Sequence, residues 1–223
     1  MELQIAEVFG ILGHEPRVIL EIGANDGTDS EEFLKAYPEC FLHCFEPDPR
    51  AVEKWKLRLG HHPRAKLWQV ALSDENGTAT FHQSDGRPPG RDDLDEHWDK
   101  SGSLQRPLGH LDWSPWCTFD TTIDVMTTKL DVWMHSWLSL QPLSEVDFCW
   151  IDTQGAEARV LKGATETLPK IKALYVECHN QTTFGPLYEN YPTLDELDAL
   201  LPTHIRQPEN YSENYLWKRR DLP

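Results

Sequence analysis

Residues 17–30, RVILEIGANDGTDS, constrain this chain more than any other stretch. The segment VILEI is short, apolar and rich in β-branched residues, which reads as a buried strand. Gly23-Ala24-Asn25-Asp26-Gly27 follows at once, and then Phe33, Leu34 and Tyr37 recur at helical spacing. Thr28 and Glu31 stand three apart, the spacing of a capping box, so Thr28 is the expected cap. A strand, a glycine turn and a helix start bring backbone close to a ligand and offer free N–H groups to negative charge. An ordinary tight βα turn is the structural alternative.

A second apolar run, FLHCF at residues 41–45, ends in Glu46-Pro47-Asp48-Pro49. In nucleotide-binding α/β folds an acid about 20 residues past the glycine loop holds the ribose hydroxyls. Its two oxygens accept two hydrogen bonds, which suits a cis-diol. The loop lacks the third glycine of the dinucleotide fingerprint. Asn25 stands where the second glycine belongs, and a side chain there crowds a pyrophosphate. A ligand with an amino-acid end fits better, which favours S-adenosylmethionine over NAD.

Residues 21–30 (EIGANDGTDS), 45–49 (FEPDP), 71–74 (ALSD), 151–157 (IDTQGAE) and 160–164 (VLKGA) resemble, in order, the motif series of the FkbM-type S-adenosylmethionine-dependent methyltransferases. The resemblance runs from about Val18 to about Glu177. It implies an α/β, Rossmann-like seven-stranded class I methyltransferase fold, and O-methylation of a hydroxyl on a small-molecule, sugar or glycan acceptor. The family commonly has Asp where this chain has Glu21, so the acid is kept with one methylene more of reach. Onto this chain the cofactor-binding set maps as Glu21, Gly23, Asn25, Gly27, Ser30, Glu46, Pro47, Ala71, Leu72, Ser73, Ser103 and Asp152. Ser103 enters through the stretch 101–104 (SGSL), which is similar to the family's serine stretch near the ligand.

The formal charge is −16, from 21 Lys and Arg against 37 Asp and Glu. Nucleic-acid binders are usually basic, and an anionic membrane surface repels such a chain. The expectation is one domain over residues 1–223, with no nucleic-acid partner. No apolar run reaches 18 residues, and the first residues show no basic-then-apolar signal pattern. The five cysteines lack C-x-x-C spacing, which points to a reducing, cytoplasmic setting.

Along the chain, Ile5, Val8, Phe9 and Leu12 share a helical stripe, read as an N-terminal lid helix over residues 1–16. After Pro49, Val52, Trp55 and Leu59 mark a second helix, closed by Gly60. Residues 65–72 read as one strand, and Asn76-Gly77 as a hairpin turn that folds 78–82 back on it. From 83 to 116 the pattern dissolves into an insertion or lid loop. Trp98, Trp113, Trp116 and Trp133 are placed on the substrate side. Residues 120–126 read as a strand, 130–138 as a helix, and 146–151 and 172–177 as further parallel strands. Thr193 and Glu196 form another capping box, and a last hairpin supplies an antiparallel edge strand.

Methyl transfer needs the acceptor oxygen about 3 Å from the methyl carbon, and a group to take its proton. Candidates at the carboxyl edge of the sheet are Asp152, Glu177 and His179. His179 is the first choice as base, since an unperturbed imidazole titrates near 6.5. Asp152 and Glu177, with His179 or Asn180, also make a candidate divalent metal site. A nicotinamide-dependent oxidoreductase and a non-catalytic cofactor-binding module are the alternative functions.

Overall fold

The computed structural model describes residues 3–90, 97–138, 145–179, 185–211 and 213–222. Its centre is β1 (Val18–Ile22), in which all five residues are buried. It lies parallel between β2 (Phe41–Phe45) and β7 (Val146–Ile151). The register sets Ile22 beside Phe45 on one flank and Ile151 on the other. Three strand ends therefore finish level, and the loops that follow them converge.

The main sheet has seven strands in the order β3-β2-β1-β7-β8-β10-β9, with β3 at Ala65–Trp68, β8 at Ile171–Glu177, β9 at His204–Tyr211 and β10 at Asn214–Arg219. Only β10 runs against its neighbours, pairing antiparallel with both β8 and β9. The antiparallel strand thus lies one place in from the edge, not at the edge as the sequence suggested. The last hairpin inserts its second strand next to β8 and leaves its first strand outside.

Both faces of the sheet are covered, as a parallel sheet requires. Alternation sends Ile19, Phe148 and Tyr175 into one layer, with Phe33 of α2 (Thr28–Ala36) and Trp55 of α3 (Pro49–Leu59). It sends Leu20, Ile22, Ile151 and Val176 into the other. There they meet Trp133 of α5 (Leu130–Leu138), Val160 of α6 (Glu157–Lys162) and Leu197 of α7 (Leu194–Leu200).

The run 65–72 is two strands. Val70 N–H turns back to the Trp68 carbonyl at 2.9 Å, and β4 (Ala71–Leu72) leaves for a second sheet of order β4-β6-β5. Asn76-Gly77 does not fold its strand back. β5 (Gly77–Gly86) pairs with the distant β6 (Cys117–Thr128), because Asn76 Oδ1 accepts from Lys129 N–H at 2.9 Å and Thr128 Oγ1 at 3.2 Å. The stretch 83–116 is therefore only partly loop: β5 runs through Gly86, and α4 (His110–Trp113) is one helical turn. Residues 91–96 lie outside the described residues.

The expected N-terminal helix is α1 (Val8–Leu12). A 3-10 turn (Ile5–Glu7) and α1 pack on the sheet face, with Leu3 N–H on the Tyr175 hydroxyl at 3.3 Å and Phe9 N–H on the Tyr37 hydroxyl at 3.0 Å. Phe9 itself is exposed. The capping box at Thr193 and Glu196 is present, but the one at Thr28 is not. Gly27, left-handed at φ +81°, is the cap, and Asp26 Oδ1 takes the Thr28 N–H and hydroxyl at 3.0 and 2.7 Å. Among the described residues no helix is long and apolar enough to cross a membrane, and all five cysteines are buried and unpaired.

Candidate active site

The converging loops bound a cleft holding about 990 Å³ of space, its open mouth included. Gly23, Asn25, Glu46, Pro47, Ala71, Leu72 and Asp152 of the expected set line it. Phe81, Asp99 and Lys100, which no motif marks, line it as well, with Gly102 and Leu104 of the SGSL stretch and Gln154 of IDTQGAE. The first five of these reach the cleft through strand pairing across the second sheet, which no local pattern announces.

Glu46 stands at the tip of β2 and is 6% exposed. Its Oε2 accepts the Asn25 N–H at 2.9 Å and its Oε1 the Asp48 N–H at 2.8 Å. Burial raises its carboxyl to about 8, against the pull of those two N–H groups. Asn25 has φ +42°, in the left-handed region. Its Nδ2 donates to the Asp99 carbonyl at 3.0 Å, while its Oδ1 is buried with no partner among the described residues. That orphaned acceptor, two lone pairs left on Glu46 and an apolar wall at Leu72 and Phe81 suit a nucleoside with an amino-acid tail.

Glu21 and Ser30 do not line the cleft. Pleating turns Glu21 toward α2 and α3, where it accepts the Ser30 hydroxyl and the Cys44 thiol, the latter at 3.3 Å. Trp55 Nε1 donates to Ser30 Oγ at 3.1 Å. Burial pushes the Glu21 carboxyl up to about 8. The group braces the glycine loop from behind. Gly27 seals the same region, since a Cβ there would lie 2.6 Å from Trp55 Cδ1. Ser73 is also turned away and donates to Asp74 Oδ1 at 3.0 Å. Ser103 is buried and accepts from Gln105 N–H at 2.9 Å, so its neighbours Gly102 and Leu104 face the cleft instead.

Asp152, Glu177 and His179 do come together, through Gln154. The Gln154 amide nitrogen lies 2.7 Å from Asp152 Oδ1 and 2.9 Å from Glu177 Oε2. His179 Nε2 meets Glu177 Oε1 at 3.2 Å, and its Nδ1 meets Glu213 Oε2 at 2.7 Å. Burial alone would lower the ring, but the two carboxylates outweigh it and raise His179 to about 9. Burial, then the Asp152 charge, raises Glu177. A ring held between two carboxylates accepts a further proton less readily than the free imidazole expected from the sequence. Glu177 is turned to His179 and Gln154, so of these three candidates Asp152 is the one that lines the cleft.

The metal reading does not fit these residues. The donor nitrogen of Gln154 holds the position between Asp152 and Glu177 that a cation needs. Among the described residues no group of three His, Cys, Asp or Glu is arranged to hold an ion. Asn180 lies outside the described residues. Of the four tryptophans, Trp133 is core, 7% exposed against His43 and Phe45. Trp98 and Trp116 pack on each other at 5.2 Å. Trp113 is 44% exposed, its ring centroid 5.8 Å from that of His179.

The family profile described as "Methyltransferase FkbM domain" matches residues 21–212. The 2-O-methyltransferase NoeI of Sinorhizobium fredii (strain NBRC 101917 / NGR234) is 40% identical over 197 residues, 88% of this chain and 76% of that protein. An O-methyltransferase family protein from Burkholderia thailandensis superposes with a TM-score of 0.50 at 10% identity, over 96% of this chain and 54% of that one. This chain thus spans about half of the Burkholderia chain, and at that identity the likeness speaks for the fold alone. The family match sets aside the nicotinamide-dependent alternative. With the motif series, the sheet order and a cleft that suits a sulfonium nucleoside, it leads to one conclusion: the chain belongs to the FkbM family of S-adenosylmethionine-dependent methyltransferases.

Proposed function

We propose that this S-adenosylmethionine-dependent O-methyltransferase acts on a hydroxyl of a small, carbohydrate-like acceptor, with Asp152 taking the hydroxyl proton. The observation that carries this reading is that Glu46 and Asp152 line one cleft from strand ends on either side of β1. Bound there, S-adenosylmethionine would supply an electrophilic methyl group on a sulfonium sulfur. Glu46 would hold the ribose hydroxyls on its remaining lone pairs, Asn25 Oδ1 would take a donor from the ligand, and Ala71, Leu72 and Phe81 would bound the base.

Asp152 accepts the proton as the acceptor oxygen attacks. Correct placement contributes about 7–11 kcal/mol, and a positioned base about 10²–10⁴-fold in rate. Placement dominates, so the walls matter more than the base. For the acceptor, the exposed Trp113 offers an aromatic face beside His179 and the half-exposed Glu213 carboxylate. Apolar contact from a ring with hydrogen bonds from adjacent charged groups suits a sugar. The printed activity of the Sinorhizobium relative, 2-O-methylation, agrees with a hydroxyl acceptor. The buried free thiols support a reducing, cytoplasmic setting, and the charge of −16 speaks against a polyanionic partner.

The test is calorimetry with S-adenosylhomocysteine, then transfer of a labelled methyl group to a panel of methyl glycosides. Micromolar binding and an alkali-stable methyl ether are expected. Tight cofactor-product binding with no ether on any glycoside would overturn the acceptor class.

A further inference from the structure

We infer that Gln154 is a positioning residue for methyl transfer: by bridging Asp152 to Glu177 it holds the Asp152 carboxylate facing the cleft and apart from the Glu177 carboxyl. The inference rests on the reading of Asp152 as proton acceptor. Gln154 has φ +54° and is followed by Gly155 at φ +96°. A left-handed residue that is not glycine carries a backbone cost. Three side-chain contacts offset that cost.

Two hydrogens on one amide nitrogen reach two carboxylates on neighbouring strand ends, Asp152 after β7 and Glu177 at the end of β8. Among side chains, only a primary amide gives two planar donors from one atom without adding charge. The amide cannot be reversed, because its oxygen would then face two carboxylates. That oxygen instead lies 3.2 Å from the Tyr188 hydroxyl, which is 2.8 Å from the Ser101 carbonyl. Ser101 belongs to the segment that supplies Asp99, Lys100, Gly102 and Leu104 to the cleft wall. One side chain thus ties the candidate base to the roof above it.

Without the bridge, the half-buried Asp152 carboxylate would meet the buried Glu177 carboxyl directly, and the pair would share a proton. The remaining groups do not prevent this. Glu157 from α6 adds negative charge near Asp152 and Glu177. Tyr188 is neutral, its hydroxyl raised by burial. His179 is cationic but committed to Glu177 and Glu213. A protonated Asp152 cannot accept the hydroxyl proton, which has to leave as the carbon–oxygen bond forms and the carbon–sulfur bond breaks.

Two variants test this. Gln154→Asn suits a left-handed backbone but is too short to reach both carboxylates. Gln154→Glu replaces the donor by a third carboxylate. With ¹³C-carboxyl-labelled protein saturated with S-adenosylhomocysteine, Asp152 is expected to titrate at least one pH unit higher in Gln154→Asn, and higher again in Gln154→Glu. Methyl transfer by Gln154→Asn should fall tenfold or more at pH 7 and recover toward wild type at pH 9. A merely structural role lowers the rate equally at every pH. Should Gln154→Asn fail to fold, Tyr188→Phe frees the amide at its oxygen end and should raise Asp152 by a smaller amount. Asp152 titrating as in wild type in the folded variants overturns the inference. The titration needs no acceptor, so a failed glycoside panel counts against the acceptor reading alone.

Discussion

Gly23 and Asp152 touch across the ends of two neighbouring strands. A Cβ on Gly23 would lie 1.7 Å from the Asp152 carbonyl oxygen, and Gly23 has φ +91°. The glycine loop and the candidate base therefore share one backbone contact, and neither can shift alone. Gly23→Ala should destabilise the protein by about 2 kcal/mol or more through strain and overlap. Thermal melting should show a drop of several degrees, and S-adenosylhomocysteine binding should disappear at concentrations that saturate wild type. Wild-type affinity in Gly23→Ala would mean that the contact does not shape the cleft.

Glu46 ties the glycine loop to the end of β2, since it holds the N–H groups of Asn25 and Asp48 and faces the cleft. Glu46→Gln replaces a carboxyl oxygen, and with it one protein and one ligand hydrogen bond, by an amide NH₂, and each such bond is worth about 0.5–1.5 kcal/mol. Glu46→Gln should weaken S-adenosylhomocysteine binding roughly tenfold to a hundredfold by that figure. Glu46→Ala should weaken it further, because the loop loses its anchor too. Calorimetry reads both.

Asp152 and His179 differ in what they can do with a proton. His179 is held charged between Glu177 and Glu213, whereas Asp152 lines the cleft. Asp152→Asn should lower kcat by about 10²–10⁴. His179→Gln, which keeps a hydrogen-bonding side chain, should lower kcat less than tenfold while raising KM for the acceptor. The reverse order would return the proton to the histidine.

Exhaustive EDTA treatment should leave turnover unchanged, because Gln154 takes the place between the carboxylates that a cation would need. Loss of activity that manganese or magnesium restores would contradict the geometry.

Stability should fall as pH rises. Glu21 and Glu46 are raised to about 8 from the ordinary value of 4.5, and His179 to about 9 from 6.5. In each case the native state holds the proton more tightly than the unfolded chain. The stabilisation is complete below the unfolded value and is lost as pH climbs through the folded one. The ligand-free protein should therefore melt progressively lower between about pH 5 and pH 9. Glu21→Gln removes one such group, and each tenfold difference in proton affinity between the native and unfolded states is worth about 1.4 kcal/mol. Its curve should be shallower and should cross above wild type near pH 8. A parallel curve would show that Glu21 does not titrate in this range.

Much of the site can be read locally. Gly23, Asn25 and Glu46 follow strands whose apolar runs mark them, and Asp152 follows another, so all four fall at the carboxyl edge. The motif misplaces Glu21 and Ser30 because it gives position along the chain but not which side of a strand or helix meets the cleft. Gln154 sits in plain view inside IDTQGAE, yet its left-handed backbone and its two carboxylate partners depend on where β8 lies. His179 resembles a free base until Glu213, from the turn before β10, is brought against it.

The sequence by itself determined the strand–turn–helix units, the acids at their ends and the family, because these rest on short-range periodicity and local turn chemistry. Tertiary structure alone decided that residues 71–86 leave for a second sheet, that β10 inserts beside β8, and that a glutamine stands between two carboxylates. Those outcomes depend on contacts between residues far apart in the chain. Burial and charge at such contacts, not the residue types, set which groups hold a proton.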